Sequence, residues 1–259
     1  MEMVLEDDIK EIYKSITPSI SKLHGKTVLI TGAAGFLGRY FMSLLTYSNQ
    51  LSNKEPITII ALDNYITSGK PSGNNILRND KNVEWIVGDA SIGAQLPNKF
   101  DYIIHTAGMN AQDCINDPEK ALKVNGLFTA KLVRFAILKN VKKIIYFSTV
   151  HVYDNPLKGS ISENLCTKNL HPYSTSNLAG EHIILQAHQS KKIQGIVFRL
   201  SNCIGAPLQK NVNCWKLLVN DLCRQIVEHR EMNIYSNCKQ VISFVPISEV
   251  CRLIEYFLE

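Results

Sequence analysis

Along most of the chain, short apolar runs alternate with longer stretches of helical periodicity. β-Branched and apolar runs place strands near 27–31, 57–62, 83–87, 100–105, 143–148 and 195–200, and helical spacing fills 36–48, 118–139 and 173–189. This alternation specifies parallel strands joined by crossover helices, a doubly wound α/β sheet. The strands are almost continuously apolar, as a sheet buried on both faces requires. The helix from 118 carries its own start signal, with Asp117 at the N-cap and Pro118 at the first helical position. Ahead of the first strand, Val4, Leu5, Ile9, Ile12, Tyr13 and Ile16 recur at helical spacing. They predict an amphipathic helix over 4–16, ended by Thr17-Pro18. Its expected role is to pack on the domain that follows; a membrane or partner contact is the alternative, against its acidic polar face.

After Leu200 the pattern changes. It predicts a loop at 201–212, a helix near 213–229, strands at 232–236 and 241–246, and a helix at 248–258. The expected organisation is a helical extension over 1–24, an α/β domain over 25–202 and a smaller lobe over 203–259. With Phe257-Leu258-Glu259 following no closing turn, that lobe reads as truncated.

The first strand and the turn after it carry chemistry. In Thr27–Gly38, TVLITGAAGFLG, the glycines Gly32, Gly35 and Gly38 fall at the end of an apolar strand and the start of a helix. That context makes the triplet a Rossmann-type dinucleotide cradle. One glycine permits the tight turn, the next lets backbone approach phosphate, and the third allows close helix–strand packing. The amides of Phe36, Leu37 and Gly38 then open the helix toward the anion. Asp63 ends the second strand, 25 residues after Gly38, with Asn64 beside it. Its carboxylate suits the adenosine ribose hydroxyls, which favours NAD over NADP. A 2′-phosphate would be repelled by Asp63, and no arginine lies nearby to receive it.

Composition limits the alternatives. A chain of 259 residues with 45% hydrophobic and 20% charged residues can bury a sizeable core, which argues against long disordered tracts. The net charge of +5 is spread over short stretches with no basic block, so a nucleic-acid partner is not expected. Cysteines stand at 114, 166, 203, 214, 223, 238 and 251, with no CxxC and no histidine at ligand spacing. Free thiols in a reducing cytosol and no metal site are the reading. The acidic start, MEMVLEDDIKEIYKSI, lacks a secretory pattern, and no run reaches the ~18 apolar residues of a membrane span. A cytoplasmic protein without membrane insertion is expected.

The spacing Gly-x-x-Gly-x-x-Gly resembles the extended short-chain dehydrogenases/reductases, the NAD-dependent epimerase/dehydratase family of nucleotide-sugar enzymes. The likeness runs from 26 to 255, and its further motifs fall in family order. Gly88-Asp89, with Ala90, resembles the adenine-contacting step. His105-Thr106-Ala107-Gly108 resembles the loop bordering the cofactor, and Val124-Asn125-Gly126 the helical asparagine motif. Phe147-Ser148-Thr149 with Val152-Tyr153 resembles the strand-five motif, and Arg199-Leu200-Ser201-Asn202 the turn toward the substrate lobe. The resemblance implies cofactor contacts at Asp63, Asn64, Asp89, Ala90, Thr106, Ala107, Gly108, Asn125, Ser148, Tyr173 and Asn177. Substrate contacts are implied at Thr149, His151 and Asn202.

The resemblance also implies a catalytic pair, Thr149 and Tyr173, in which tyrosine exchanges a proton with a sugar oxygen held by threonine. A phenol titrating at about 10 is a poor base at neutral pH unless a cation stabilises its phenolate. In the family a lysine four residues after the tyrosine, one turn along the same helix face, does this; here Asn177 stands there. Asn177 can position the nicotinamide ribose but brings no charge. Family dehydratases place an Asp-Glu pair after the threonine, and UDP-glucuronate decarboxylases place glutamate where His151 stands; this chain has Val150-His151. Near Val241–Pro246 the family often has Arg-Asp before the phenylalanine, and Lys239 is the nearest cation.

The expectation is therefore an NAD-dependent epimerase or ketoreductase of a nucleotide-diphosphate sugar, of the kind used in polysaccharide biosynthesis. The alternatives are a catalytically impaired NAD-binding relative with a binding or regulatory role, and a dehydratase or decarboxylase with altered acid–base groups. Family resemblance further implies a homodimer through the helices near 118–139 and 173–189.

Overall fold

The computed structural model describes residues 2–69, 80–90, 96–153, 159–234, 237, 239 and 241–258. Six strands form one sheet: β1 (Thr27–Thr31), β2 (Thr58–Asp63), β3 (Val83–Val87), β4 (Tyr102–His105), β5 (Lys143–Thr149) and β6 (Gln194–Leu200). All pair in parallel, in the order β3-β2-β1-β4-β5-β6. The order reverses between β1 and β4, so a crevice opens at their carboxyl ends, where open α/β sheets bind ligands. Thr31 of β1 is level with Leu62 of β2 and His105 of β4.

Side-chain alternation divides two cores. Val28, Ile30, Ile59 and Ala61 join the cluster on one face, while Leu29, Ile60, Leu62 and Ile103 join that on the other. The first face is covered by α1 (Glu2–Ile20), α2 (Phe36–Leu51) and two short helices, α8 (Ile247–Arg252) and α9 (Ile254–Leu258). α1 thus packs on the domain, with Ile9, Ile12, Tyr13, Ile16 and Ile20 buried against α2, α8 and α9. Among the described residues no helix is long and apolar enough to cross a membrane.

The second face is covered by a composite helix and by α6 (Pro172–Gln189). After α3 (Ala111–Asn116), α4 (Pro118–Ala121) starts under the predicted cap, Asp117 Oδ1 accepting from Lys120 N at 2.9 Å. It runs through a π turn, Leu122–Leu127, into α5 (Phe128–Leu138). The π turn coincides with Val124-Asn125-Gly126, and such single turns are concentrated at functional sites.

Several boundaries differ from the sequence expectation. α1 does not stop at Thr17-Pro18 but continues to Ile20. Ile16 and Ile20, both fully buried, anchor the last turn, and Thr17 Oγ1 donates to Tyr13 O at 2.7 Å beside the bond that Pro18 cannot make. The expected loop 201–212 contains β7 (Asn202–Ile204), paired in parallel with β8 (Phe244–Pro246), a tertiary pairing that local pattern does not announce. β8 is the remnant of the strand expected at 241–246. The helix expected near 213–229 is α7 (Leu218–His229). Met232–Ile234 form no strand, and Tyr235-Ser236 lie outside the described residues. The last helix divides at Leu253, whose amide turns to Val250 O at 3.2 Å, a tighter turn than the α-helical ladder.

Candidate functional site

The glycine turn is dictated by lack of space. Gly32 has φ +69°, and a Cβ there would lie 2.7 Å from Ala107 N. A Cβ on Gly38 would lie 2.2 Å from Gly32 O, so only glycine lets α2 start this close to β1. Gly35 is the N-cap of α2 and supplies no capping side chain. The first-turn amides of Phe36, Leu37 and Gly38 therefore have neither an intrahelical acceptor nor a cap, and present their dipoles where a phosphate fits. The donor set matches a dinucleotide pyrophosphate.

In front of the turn is a cavity of about 330 Å³. It brings together Gly32, Gly35, Asp63, Asn64, Asp89, Ala90, Thr106, Ala107 and Gly108, all singled out from sequence. Its lining also includes Met109, Asp113, Asn116, Asp117, Lys120, Val124 and Phe128, which sequence reasoning missed as site residues. Their signal was positional: the Asp117-Pro118 helix start follows the β4 loop and so faces the same carboxyl edge.

Asp63 performs a second task. Its Oδ2 accepts from Ala34 N at 2.9 Å and its Oδ1 from Tyr65 N at 2.7 Å, so one carboxylate holds both the glycine turn and the following loop. Burial raises its pKa, opposed by those backbone hydrogen bonds and by Arg39. The expectation that no arginine lies near Asp63 is thus corrected. Arg39 is 24 residues earlier in sequence, yet its charge acts on Asp63, and desolvation lowers its own pKa. Its Nε donates to Ala34 O at 2.6 Å and its Nη2 to Gly69 O at 3.3 Å. Arg39 is 1% exposed and is not among the residues lining the cavity, so it braces the turn while Asp63 faces the cavity.

From Thr31 at the cavity a buried polar chain with an assignable proton order runs into the protein. Thr129 donates its only hydroxyl proton to Asn125 O at 2.7 Å, so it accepts from His105 Nε2 at 2.9 Å. The other nitrogen, Nδ1, then accepts from Thr31 Oγ1 at 2.6 Å. Burial pushes the His105 pKa down to about 3, which keeps the ring neutral in this role. Asn125 is also fully buried: its Oδ1 accepts from Met109 N at 2.9 Å and its Nδ2 donates to Ser176 Oγ at 2.9 Å. Its side chain therefore shapes the 106–109 loop and ties it to α6.

The catalytic pair predicted from sequence is brought together at the carboxyl end of β5. The hydroxyls of Thr149 and Tyr173 interact, and Thr149 Oγ1 accepts from His151 N at 3.1 Å. Burial raises the Tyr173 pKa, against the lowering effect of the Thr149 hydrogen bond. Among the described residues no cation is one of the groups acting on it. Asn177 is turned inward: Nδ2 donates to Tyr173 O at 2.8 Å and Oδ1 accepts from Tyr146 OH at 2.9 Å. Buried between α6 and β5, it spends both ends on the protein and, like Thr149 and Tyr173, is not among the residues lining the cavity.

His151 is exposed, and its ring lies 6.2 Å from that of Tyr173, centroid to centroid. Burial of part of the ring and the neighbouring His171 lower its pKa. His171 caps α6, its Nδ1 accepting from Tyr173 N at 3.0 Å. Asn202, expected at the substrate, donates through Nδ2 to Ser243 O at 3.3 Å and joins β7 to the start of β8.

Behind this pair is a buried ion pair that sequence reasoning did not find. Glu181, fully buried on α6, accepts from Arg199 Nε at 3.1 and 3.0 Å and from Arg199 Nη2 at 2.7 Å. Ser148 Oγ donates to the same carboxylate, which places Ser148 in the frame. Arg199 also lies over the Tyr153 ring at 4.7 Å. The frame joins the ends of β5 and β6 to α6, one residue from Thr149 and two turns from Tyr173.

A six-stranded parallel sheet with a glycine-turn cavity at its switch point defines a Rossmann-type dinucleotide-binding protein. Residues 28–259 match the NAD dependent epimerase/dehydratase family, and the chain belongs to it. Among curated relatives, dTDP-glucose 4,6-dehydratase of Streptomyces antibioticus is 30% identical over 185 residues, covering 69% of this chain and 53% of the relative. UDP-glucose 4-epimerase of Pisum sativum is 27% identical over 189 residues, with the same two shares. The chain thus spans about half the length of these relatives. An epimerase from Methanothermobacter thermautotrophicus shares the fold with a TM-score of 0.77 at 22% identity, over 94% of this chain and 71% of that one. UDP-glucuronic acid 4-epimerase from Bacillus cereus, solved with UDP-glucuronic acid and NAD, gives 0.72 at 23%, over 87% and 70%.

Proposed function

We propose that this chain is an NAD-dependent enzyme that moves hydride at a sugar hydroxyl of a nucleotide-diphosphate sugar, as an epimerase or ketoreductase. The observation that carries this reading is the Thr149–Tyr173 hydroxyl pair at the carboxyl edge of the sheet that also holds the glycine-turn cavity. When bound, NAD supplies the hydride acceptor. The first-turn amides of α2 hold its pyrophosphate, Asp63 accepts from its adenosine ribose, and Asp89-Ala90 border its adenine. Thr149 and Tyr173 hold the sugar oxygen, while Asn202 and His151 border the substrate side.

Val150-His151 in place of the acidic pair of family dehydratases and the glutamate of decarboxylases favours epimerisation or reduction over elimination or decarboxylation. The test is incubation with NAD and a panel of UDP-, dTDP- and GDP-sugars, followed by NMR of the sugar. A stereochemical or redox change in one of them is expected; silence with every sugar at saturation overturns the reading.

The inward commitment of Asn177 favours one second reading, a relative that retains NAD for binding or regulation. Asn177→Lys separates the two. A large gain in turnover marks lapsed chemistry, whereas loss of a native activity shows that asparagine belongs to a working mechanism. In either case Leu122, Leu127 and Leu138 of the composite helix and Leu185 of α6, each 42–67% exposed, support a homodimer through those helices. Sedimentation at micromolar concentration tests it, and a clean monomer contradicts it.

A further inference from the structure

The inference here rests on the nucleotide-sugar reading and concerns which group carries the proton. A residue that accepts the hydroxyl proton must be unprotonated beforehand and open to substrate. Tyr173, half-buried, does not meet the first. It is hydrogen-bonded to Thr149, its burial favours the neutral phenol, and the side chain one turn along is an uncharged asparagine tied to Tyr146. Tyr146 is buried as well, and Cys114 is fully buried with its thiol toward Met109 O. His105 is fully buried with both ring nitrogens engaged.

His151 meets both requirements. Its backbone is fixed at three points: its amide donates to Thr149 Oγ1, and its carbonyl accepts from Ser174 Oγ at 2.6 Å and Asn169 Nδ2 at 2.8 Å. This holds the imidazole beside Tyr173 while leaving it exposed, and among the described residues its ring nitrogens make no hydrogen bond. The titratable groups facing it among those residues are His171, from the turn before α6, and Tyr173, from α6 itself. His171 uses Nδ1 to cap α6 and is committed to that bond.

We propose that His151 is the acid–base residue of this site, with Tyr173 acting as a neutral hydrogen-bond donor to the sugar oxygen. In the oxidative direction the sugar C–H bond breaks and its hydride, with the electron pair, passes to oxidised nicotinamide. The O–H proton passes to the His151 imidazole, and the carbon–oxygen double bond forms. In the reductive direction the imidazolium returns that proton. Partial burial and His171 both favour the neutral ring, the form needed to accept.

The experiment uses the full chain, NAD and the sugar nucleotide identified by the panel above, with His151→Asn, His151→Ala and Tyr173→Phe. For oxidation, wild-type kcat/KM is expected to fall on the acid side with a midpoint below the usual histidine value of about 6.5. His151→Asn should lose that limb and lower kcat by about 10²–10⁴-fold. NAD affinity, read by fluorescence quenching, should stay unchanged, and added imidazole should restore activity to His151→Ala, which a structural role would not do. Tyr173→Phe should keep the acid limb while losing rate. The proposal is overturned if His151→Asn keeps both the limb and the rate, or if Tyr173→Phe removes the limb. A wild type that binds NAD but turns over no sugar overturns the nucleotide-sugar reading itself, and this proposal with it.

Discussion

Acidification provides a direct test of the buried chain beneath the cavity. His105 is fully buried, with its Nε2 proton donated to Thr129 and its Nδ1 accepting from Thr31. A second proton would charge a fully buried ring, and burial holds the folded-state pKa at about 3. In the unfolded chain the same ring titrates at about 6.5. Below that value the unfolded state binds a proton that the native state refuses, so stability falls with falling pH until about 3. The slope rises to ~1.4 kcal/mol per pH unit as the unfolded ring becomes fully charged, so ~2 kcal/mol is lost between pH 6.5 and about 4.5. That is a large share of a typical total stability of ~5–15 kcal/mol. Urea unfolding followed by circular dichroism across this range measures the effect. Carboxylates titrate in the same window, so the decisive quantity is the difference between wild type and His105→Gln. Glutamine keeps a donor and an acceptor, does not titrate, and should cost ~1–3 kcal/mol at neutral pH. Its disadvantage should shrink and then reverse as pH falls. Parallel profiles for the two proteins over the whole window would refute the assignment of a neutral, non-titrating His105.

The other predictions concern the frame and the cradle. Arg199→Met leaves the fully buried Glu181 carboxylate without its charge partner and should cost ~3–5 kcal/mol in urea unfolding, whereas Arg199→Met combined with Glu181→Leu should cost clearly less. A single variant as stable as wild type would contradict the buried pair. Gly38→Ala places a methyl 2.2 Å from Gly32 O and 2.8 Å from Ala33 Cα, backbone atoms that move only with the turn itself. NAD affinity should fall about 100-fold, equivalent to ~3 kcal/mol, and unchanged fluorescence quenching by NAD would sink the cradle geometry.

The sheet was legible because each of its strands is a local event. In Thr27–Thr31 and Thr58–Asp63 the apolar residues serve both faces, so the run itself announces a buried parallel strand. The glycine turn was legible for a similar reason: Gly32 and Gly38 are required by contacts within one strand–turn–helix unit and with the adjacent β4 loop. The missed features depend on distant residues. β7 exists through its pairing with β8, Asn202 opposite Phe244, 42 residues later, and α1 continues through Pro18 because Ile16 and Ile20 are buried. Arg39 stands near Asp63 because α2 folds back beneath β2, a proximity that linear spacing conceals.

The same distinction explains why motif residues and cavity residues are not one set. Asn125, Ser148 and Asn177 all belong to motifs read from sequence, yet each makes its hydrogen bonds inside the protein. Asn125 joins the loop after β4 to α6, Ser148 joins β5 to the Glu181–Arg199 pair, and Asn177 joins α6 to Tyr146. A motif marks where backbone and side chain must agree in space, and here that agreement serves the walls of the site as much as its contents. For Asn177 the consequence is chemical. A lysine at this position would bring a charge toward the Tyr173 phenol, whereas the asparagine ties one turn of α6 to the sheet and leaves that phenol protonated. Proton transfer then requires a group outside the usual helix-face pair, and His151 is the exposed imidazole that the turn after Thr149 holds beside Tyr173.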